Sequence, residues 1–262
     1  PVLHIATFKA ENIDDIINDI NDSGFGLTFG LHTRIDDRVE HFTRSLNVGN
    51  MYINRNQIGA IVGSQPFGGE GLSGTGPKAG GPHYVKRFTQ SNTTQTDIVP
   101  GKDVSLNEVQ RALDNLQVPS RKALAQQDMA GPTGESNRLS FYPRGTILCL
   151  GPTAEQAHEQ SKIAHAAGCS ALIVAPDATG QHSLSALLER SMLTNLSGID
   201  AVVLWSDEQD LRKARQALAA RDGALIPLIT ERDFHDRCVL ERHVCIDTTA
   251  AGGNASLLAA NS

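Results

Sequence analysis

A glycine-rich stretch at residues 59–82, GAIVGSQPFGGEGLSGTGPKAGGP, constrains the fold of this chain most strongly. Glycine is used where the backbone takes a positive φ or approaches another segment closely, so such density predicts an irregular, tightly packed loop. Ile61, Val62, Phe67 and Leu72 are interleaved among the glycines, and such apolar anchors disfavour a flexible linker. The segment contains no cysteine nucleophile, so we expect it to shape a site that other residues operate.

The residues before this loop alternate between helix and strand patterns. Isoleucines at spacings of three and four predict a helix over residues 11–23, and residues 36–46 predict a second one. Strands are predicted over residues 27–33 and 50–54. This αβαβ unit indicates a parallel sheet, and the loop follows its last strand, where open α/β folds bind ligands. The loop is therefore predicted to form one wall of a substrate pocket.

The second half of the chain has its own α/β pattern. Residues 89–99 are rich in turn-forming polar residues, which indicates a boundary there, and residues 106–129 read as helical with a break at Pro119. Four apolar runs, at 146–150, 170–175, 200–205 and 224–229, alternate with predicted helices at 155–167 and 208–220. This arrangement is Rossmann-like.

Two ligand hypotheses arise in that second unit. The first strand is followed by Gly151-Pro152-Thr153, which lacks the glycines of a dinucleotide fingerprint, so a structural scaffold is favoured over an NAD site. His158 and His165 lie seven residues apart on one helix face, where a shared metal is conceivable, yet no third ligand keeps helical spacing with them. Solvated or core histidines are the favoured interpretation.

Composition narrows the class further. The chain has 262 residues, 40% of them hydrophobic, and a net charge of −6 without a basic run, which argues against a nucleic-acid surface. No apolar stretch is long enough to span a bilayer, and Pro1 reads as folded sequence rather than a signal peptide, so we expect a cytoplasmic protein. The cysteines, which have no CxxC spacing, are interpreted as structural thiols: Cys149, Cys169, Cys238 and Cys245.

The glycine loop resembles the aldehyde dehydrogenase superfamily. The superfamily signature PFGG followed by SG is matched at Pro66, Phe67, Gly68, Gly69, Ser73 and Gly74. The longer segment 49–82 resembles the glutamate semialdehyde dehydrogenase module of the bacterial bifunctional proline utilization A family. The resemblance covers residues 1–88, resumes after Pro119, and includes the tail from Glu241.

This resemblance implies a domain organisation and an activity. Residues 1–88 would be the C-terminal part of an aldehyde dehydrogenase catalytic domain, 89–144 a linker and helical segment, 145–240 a Rossmann-like accessory domain, and 241–262 a C-terminal strand and tail motif. In the tail, Val244 and Ile246 alternate with polar residues like an exposed strand. The implied activity is NAD-dependent oxidation of L-glutamate γ-semialdehyde to glutamate, in a protein whose other half oxidises proline with FAD.

The resemblance also assigns residues. The backbone N–H groups of Gly59 and Ala60 would bind the substrate α-carboxylate, and Phe67 would pack against its aliphatic stem, although ordinary core packing also explains Phe67. The catalytic cysteine and most NAD contacts belong to upstream modules of the same polypeptide, so no catalytic, cofactor or metal residue is assigned here and the chain alone is predicted inactive. Arg55 and Lys78 are interpreted as solvated cations outside the site.

A different class of function remains open. The tail is expected to close a cavity at the junction of the two catalytic modules, and a homo-oligomer is possible. The alternative is therefore an assembly module that seals this cavity and makes no contact with the substrate.

Overall fold

The computed structural model describes residues 2–89, 96 and 99–249. Its helices are α1 (Ile13–Asp22), α2 (Asp36–Ser45), α3 (Leu106–Asp114), α4 (Ala154–Ala166) and α5 (Glu208–Ala219). Its strands are β1 (Phe25–Gly26), β2 (Thr28–Leu31), β3 (Asn50–Ile53), β4 (Glu70–Gly71), β5 (Ala125–Met129), β6 (Glu135–Pro143), β7 (Thr146–Cys149), β8 (Ser170–Ala175), β9 (Ser183–Ser185), β10 (Ala201–Val203), β11 (Leu228–Ile229) and β12 (Val239–Asp247). The predicted α/β class is confirmed.

The first sheet has the order β2-β3-β12-β6-β5. Strands β2, β3 and β12 run parallel, whereas β6 is antiparallel to both β12 and β5. Helices α1 and α2 cover one face because their apolar stripes, including Ile17 and Phe42, pack against Met51, Ile53 and Val244. The predicted αβαβ unit is confirmed, and its loop does begin where β3 ends.

Two expectations about the later strands are wrong. The helix predicted over residues 106–129 ends at Asp114, and β5 follows as an exposed edge strand paired with β6. The tail strand is not exposed: Val244 and Ile246 are 5% and 9% exposed. Strand β12 lies between β3 and β6, and its Val244 and Ile246 side chains are buried because they belong to the core that contains Ile17 of α1 and Phe42 of α2.

The second sheet is parallel throughout, in the order β11-β10-β7-β8-β9. Alternate residues of its strands point to opposite faces. Leu148, Leu172 and Val202 form a core with α3 and α5, while Ile147 and Ile173 form another with α4. This doubly wound arrangement confirms the Rossmann-like prediction. Helix α3 packs on the second sheet, although it lies in the stretch predicted as linker and helical segment.

Ion pairs connect the short helix Val85–Phe88 to residues 231–236 of the second half of the chain. Lys86 contacts Asp233 and Asp236 at 2.8 and 2.9 Å, and Arg87 contacts Glu231. Among the described residues, no helix is long and apolar enough to cross a membrane.

Candidate functional site

The loop after β3 carries the predicted carboxylate anchor; we call residues 54–65 the anchor loop. Gly59 adopts φ +72°, a left-handed conformation that favours glycine. Gly59 is exposed and Ala60 is half-buried. Their N–H groups donate no hydrogen bond to any described residue, whereas the neighbouring Ile61 N–H donates to Gln65 Oε1 at 3.1 Å. Two adjacent donors are thus available to an anion.

Phe67 lies on a segment whose backbone is held from two sides. Its N–H and C=O pair with Ala79 at 3.0 and 2.8 Å. The Asn50 side chain accepts from the Gly68 N–H at 3.0 Å and donates to the Pro66 C=O at 2.8 Å. The ring itself is half-buried. No hydrogen bond or ring contact within the described residues joins Phe67 to Gly59 or Ala60, so their shared site stays a prediction.

Lys78 is not the solvated cation that the sequence suggested, since it is 1% exposed. Its Nζ donates to Asn50 Oδ1 at 2.9 Å and to the Gly68 carbonyl, and its backbone N–H donates to Glu241 Oε2 at 2.7 Å. Burial lowers the Lys78 pKa to about 7, against the attraction of Glu241 and Glu70. The two acceptors are bonded by the Lys78 amine in either protonation state, since the neutral form has two N–H donors and the charged form three.

Arg55 is also withdrawn from solvent, contrary to expectation. It is 14% exposed and pairs with Glu135 of β6 at 2.7 Å. Its guanidinium carbon lies 5.3 Å from the centre of the Tyr52 ring. Arg55 therefore ties the anchor loop to β6, whereas Lys78 holds the segment after the loop through Gly68.

The surroundings of Lys78 are tightly packed and polar. His243 is fully buried, and desolvation lowers its pKa to about 4. His83 Nδ1 lies 3.0 Å from Glu241 Oε1, a contact that raises the His83 pKa. At Gly49 a side-chain carbon would lie 2.0 Å from the Gly68 oxygen and 2.8 Å from Lys78 Nζ, so only glycine fits there.

The cysteines are buried and free, as predicted. Desolvation raises the pKa of Cys149, and it raises that of Cys245 to about 11. The neighbouring Cys238 side chain lowers the Cys169 pKa, but Cys169 is only 4% exposed. These thiols are not accessible to a substrate.

The turn after β7 does not fit a dinucleotide. The fully buried Gln160 side chain bonds the N–H of Gly151 at 3.1 Å and its C=O at 3.0 Å. The Thr153 hydroxyl accepts from the Gln156 N–H and caps α4. Side chains thus already bond the Gly151 and Gln156 N–H groups, which at this turn would otherwise be the donors for a phosphate.

Neither helical histidine takes part in a metal site in the described structure. His165 Nδ1 contacts the Cys169 carbonyl at 3.0 Å, and His158 is half-buried on α4. No group of three or more potential ligands is found in the parts of the chain that are described.

Sequence reasoning missed the residues that support the loop. Asn50 could have been recognised from the sequence, because it is the one polar residue of the otherwise apolar strand NMYI. Glu135 and Glu241 could not, since their partners lie 80 and 163 residues away.

Comparison with known proteins supports the resemblance. Residues 1–94 match the model of the aldehyde dehydrogenase family. The chain is 36% identical to the bifunctional protein PutA of Klebsiella aerogenes over 96% of its own length, which is 22% of that protein. It is 43% identical to a 1-pyrroline-5-carboxylate dehydrogenase of Bacillus subtilis, over 34% of this chain and 18% of that one. The chain thus spans about a fifth of each of these relatives.

A solved structure shares the fold. The structure of proline utilization A from Corynebacterium freiburgense aligns with 90% of this chain and 24% of its own, at a TM-score of 0.55 and 24% identity. The recognition from sequence is therefore confirmed: nearly the whole chain is similar to one part of the bifunctional PutA proteins, and its residues 1–94 match the aldehyde dehydrogenase family.

Proposed function

We propose that this chain is part of a bifunctional enzyme of proline catabolism, in the module that oxidises L-glutamate γ-semialdehyde to glutamate with NAD. The N–H groups of Gly59 and Ala60 bind the α-carboxylate, and the Phe67 ring packs against the aliphatic stem. One observation carries this proposal: two consecutive amides without an acceptor among the described residues lie at an accessible, left-handed turn.

The chemical contribution of the chain is positioning. An anion held by two amide dipoles is fixed in direction, which places the aldehyde carbon at the other end of the substrate at a set distance from the nucleophile. Other parts of the polypeptide supply the thiolate, the NAD site and the FAD of the proline-oxidising half. Two observations support this division: the described cysteines are buried, and the Gln160 side chain bonds the backbone of the turn after β7.

The names of the relatives are consistent with this substrate. One is a 1-pyrroline-5-carboxylate dehydrogenase, and pyrroline-5-carboxylate is the cyclic form of glutamate semialdehyde. In this proposal the enzyme works in the cytoplasm, and its partners are the other modules of the same polypeptide.

The substitution Ala60→Leu in the full-length protein tests the proposal. The larger side chain would cover the adjacent amides, so we expect the KM for the semialdehyde to rise at least tenfold, about 1.4 kcal/mol of binding. The KM for an uncharged aldehyde of similar length should change less than threefold. Ala123→Leu is a matched control, because Ala123 is another half-buried alanine outside the helices and strands.

The alternative of an assembly module predicts a different result. Exposed apolar side chains flank the anchor, with Ile58 85% and Val62 95% exposed, and a partner would cover them. If Ala60→Leu leaves both KM values unchanged but weakens association of the modules, this alternative replaces the substrate anchor.

A further inference from the structure

We propose that Glu135 is a positioning residue that holds both ends of the anchor loop, and this inference rests on the proposed function. Glu135 is the first residue of β6, a strand in the stretch that sequence analysis assigned to a linker and helical segment. It belongs to a different part of the chain from the loop it holds. Its side chain thereby links the later region to substrate binding without touching the substrate.

One carboxylate bonds residues at the two ends of the loop. Arg55 Nη1 donates to Glu135 Oε1 at 2.7 Å, and Gln65 Nε2 donates to Glu135 Oε2 at 3.1 Å. Arg55 precedes the Gly59–Ala60 turn and Gln65 follows it. The carboxylate therefore fixes the distance between the two ends of the loop that carries this turn. Charge-assisted bonds of this kind are stronger than neutral ones and more specific in geometry.

We call the Glu135 carboxylate with its bonds to Arg55 and Gln65 the clamp. The Gln65 side chain connects this clamp to the middle of the loop. Its Oε1 accepts from the Ile61 N–H at 3.1 Å, next to Ala60. The Ile61 carbonyl in turn accepts from the backbone N–H groups of Ser64 and Gln65 at 3.2 and 2.9 Å. A continuous hydrogen-bonded path therefore runs from the Glu135 carboxylate to the residue beside the anchor.

The clamp is shielded, whereas the turn that it holds is not. Gln65 is 3% exposed, and the Arg55 and Glu135 side chains are 14% and 17% exposed. A side-chain carbon added at Gly59 or Gly63 would meet no described atom within 4 Å. The turn thus has few contacts of its own, and its conformation depends on the bonds at its ends.

Cys245 of β12 also contacts the two loop residues that Glu135 bonds. Its sulfur accepts from Arg55 Nη1 at 3.2 Å and from Gln65 Nε2 at 3.4 Å. Because β12 pairs with β6 along its length, with Cys245 opposite Asn137, the two strands form one rigid platform for the clamp.

Glu135→Gln in the full-length protein tests this role. The variant keeps the side-chain volume but removes the charge and one of the two acceptors, so we expect the semialdehyde KM to rise about tenfold while kcat changes less than twofold. Glu231→Gln is the matched control: Glu231 is also 17% exposed and contacts an arginine, Arg237, at 2.7 Å, but it lies in the accessory domain away from the loop. The control should leave KM unchanged.

Two further measurements separate positioning from general stability. In an Ala60→Leu background, Glu135→Gln should add no further rise in KM, because the anchor is already blocked; an additive effect would overturn the proposal. Hydrogen exchange of a peptide covering residues 56–65 should accelerate in Glu135→Gln and not in Glu231→Gln. Unchanged exchange together with unchanged KM would refute the role of Glu135.

The failure of the proposed function would look different. If the wild-type protein does not oxidise the semialdehyde, the proposed function fails, yet hydrogen exchange still tests the clamp. Should Glu135→Gln not fold, Gln65→Met removes the other end of the clamp and leaves the ion pair, and a KM equal to that of the wild type would then count against the proposal.

Discussion

Replacing Lys78 with methionine is expected to change how stability depends on pH. Lys78 is 1% exposed, and burial lowers its pKa from 10.5 to about 7. Between these values the unfolded chain binds a proton that the folded chain does not, so this lysine makes stability rise with pH. Its destabilising effect is present in full below about pH 7 and disappears as the pH approaches 10.5.

The size of the effect follows from this shift. The full difference corresponds to about 5 kcal/mol at low pH, since each pKa unit is worth about 1.4 kcal/mol. Integrating the proton difference from pH 6.5 to 8.5 gives about 2 kcal/mol of stability that the wild type gains and Lys78→Met does not. The absolute stability of the variant also depends on the Gly68 carbonyl, which loses its Lys78 donor. The prediction therefore concerns how the stability difference between the two proteins changes with pH, and not its absolute value.

Urea unfolding followed by far-ultraviolet circular dichroism measures this difference at half-unit pH steps. The stability of the wild type minus that of Lys78→Met should increase steadily across the range. Lys162→Met, at an exposed position on α4, should show a constant difference from the wild type. A constant difference for Lys78→Met as well would mean that the buried amine keeps its proton, and the reasoning about desolvation would be refuted.

Two more substitutions test the packing around Lys78. Gly49→Ala should lower the free energy of unfolding in urea by about 2 kcal/mol or more, because the new carbon would lie 2.0 Å from the Gly68 oxygen. Gly198→Ala, where the space is open but φ is +72°, should lower it by only about 1 kcal/mol. Equal losses would contradict the close-approach argument. Burial lowers the pKa of His243 to about 4. Between pH 6.5 and pH 4 the wild type should therefore lose about 3 kcal/mol of unfolding free energy relative to His243→Phe. Parallel stability curves of the two proteins in acid would contradict this burial effect.

Local patterns in the sequence predicted those elements whose apolar residues repeat within one segment. The stripe that includes Ile17 and the runs around Leu148 and Val202 gave helices and strands close to the observed ones. Strand β5 has no such pattern, since its side chains are exposed and its partner β6 supplies its hydrogen bonds. Pairing between distant segments is a long-range property that a window of sequence does not contain.

The same distinction holds for the candidate site. Gly59 and Ala60 were predicted from a local motif, and the structure places them on an accessible turn. Lys78 and Arg55 were misinterpreted because the fold, not their neighbours in sequence, buries them. Glu135 was not recognised for the same reason, as 80 residues separate it from Arg55.

The central claim is that the Gly59 and Ala60 amides bind the substrate carboxylate. A crystal structure of the full-length protein with glutamate bound tests it most directly. We predict that the α-carboxylate oxygens lie about 2.7–3.2 Å from the two backbone nitrogens, with the Phe67 ring against the aliphatic carbons. A carboxylate bound elsewhere, with these nitrogens facing solvent, would contradict the account.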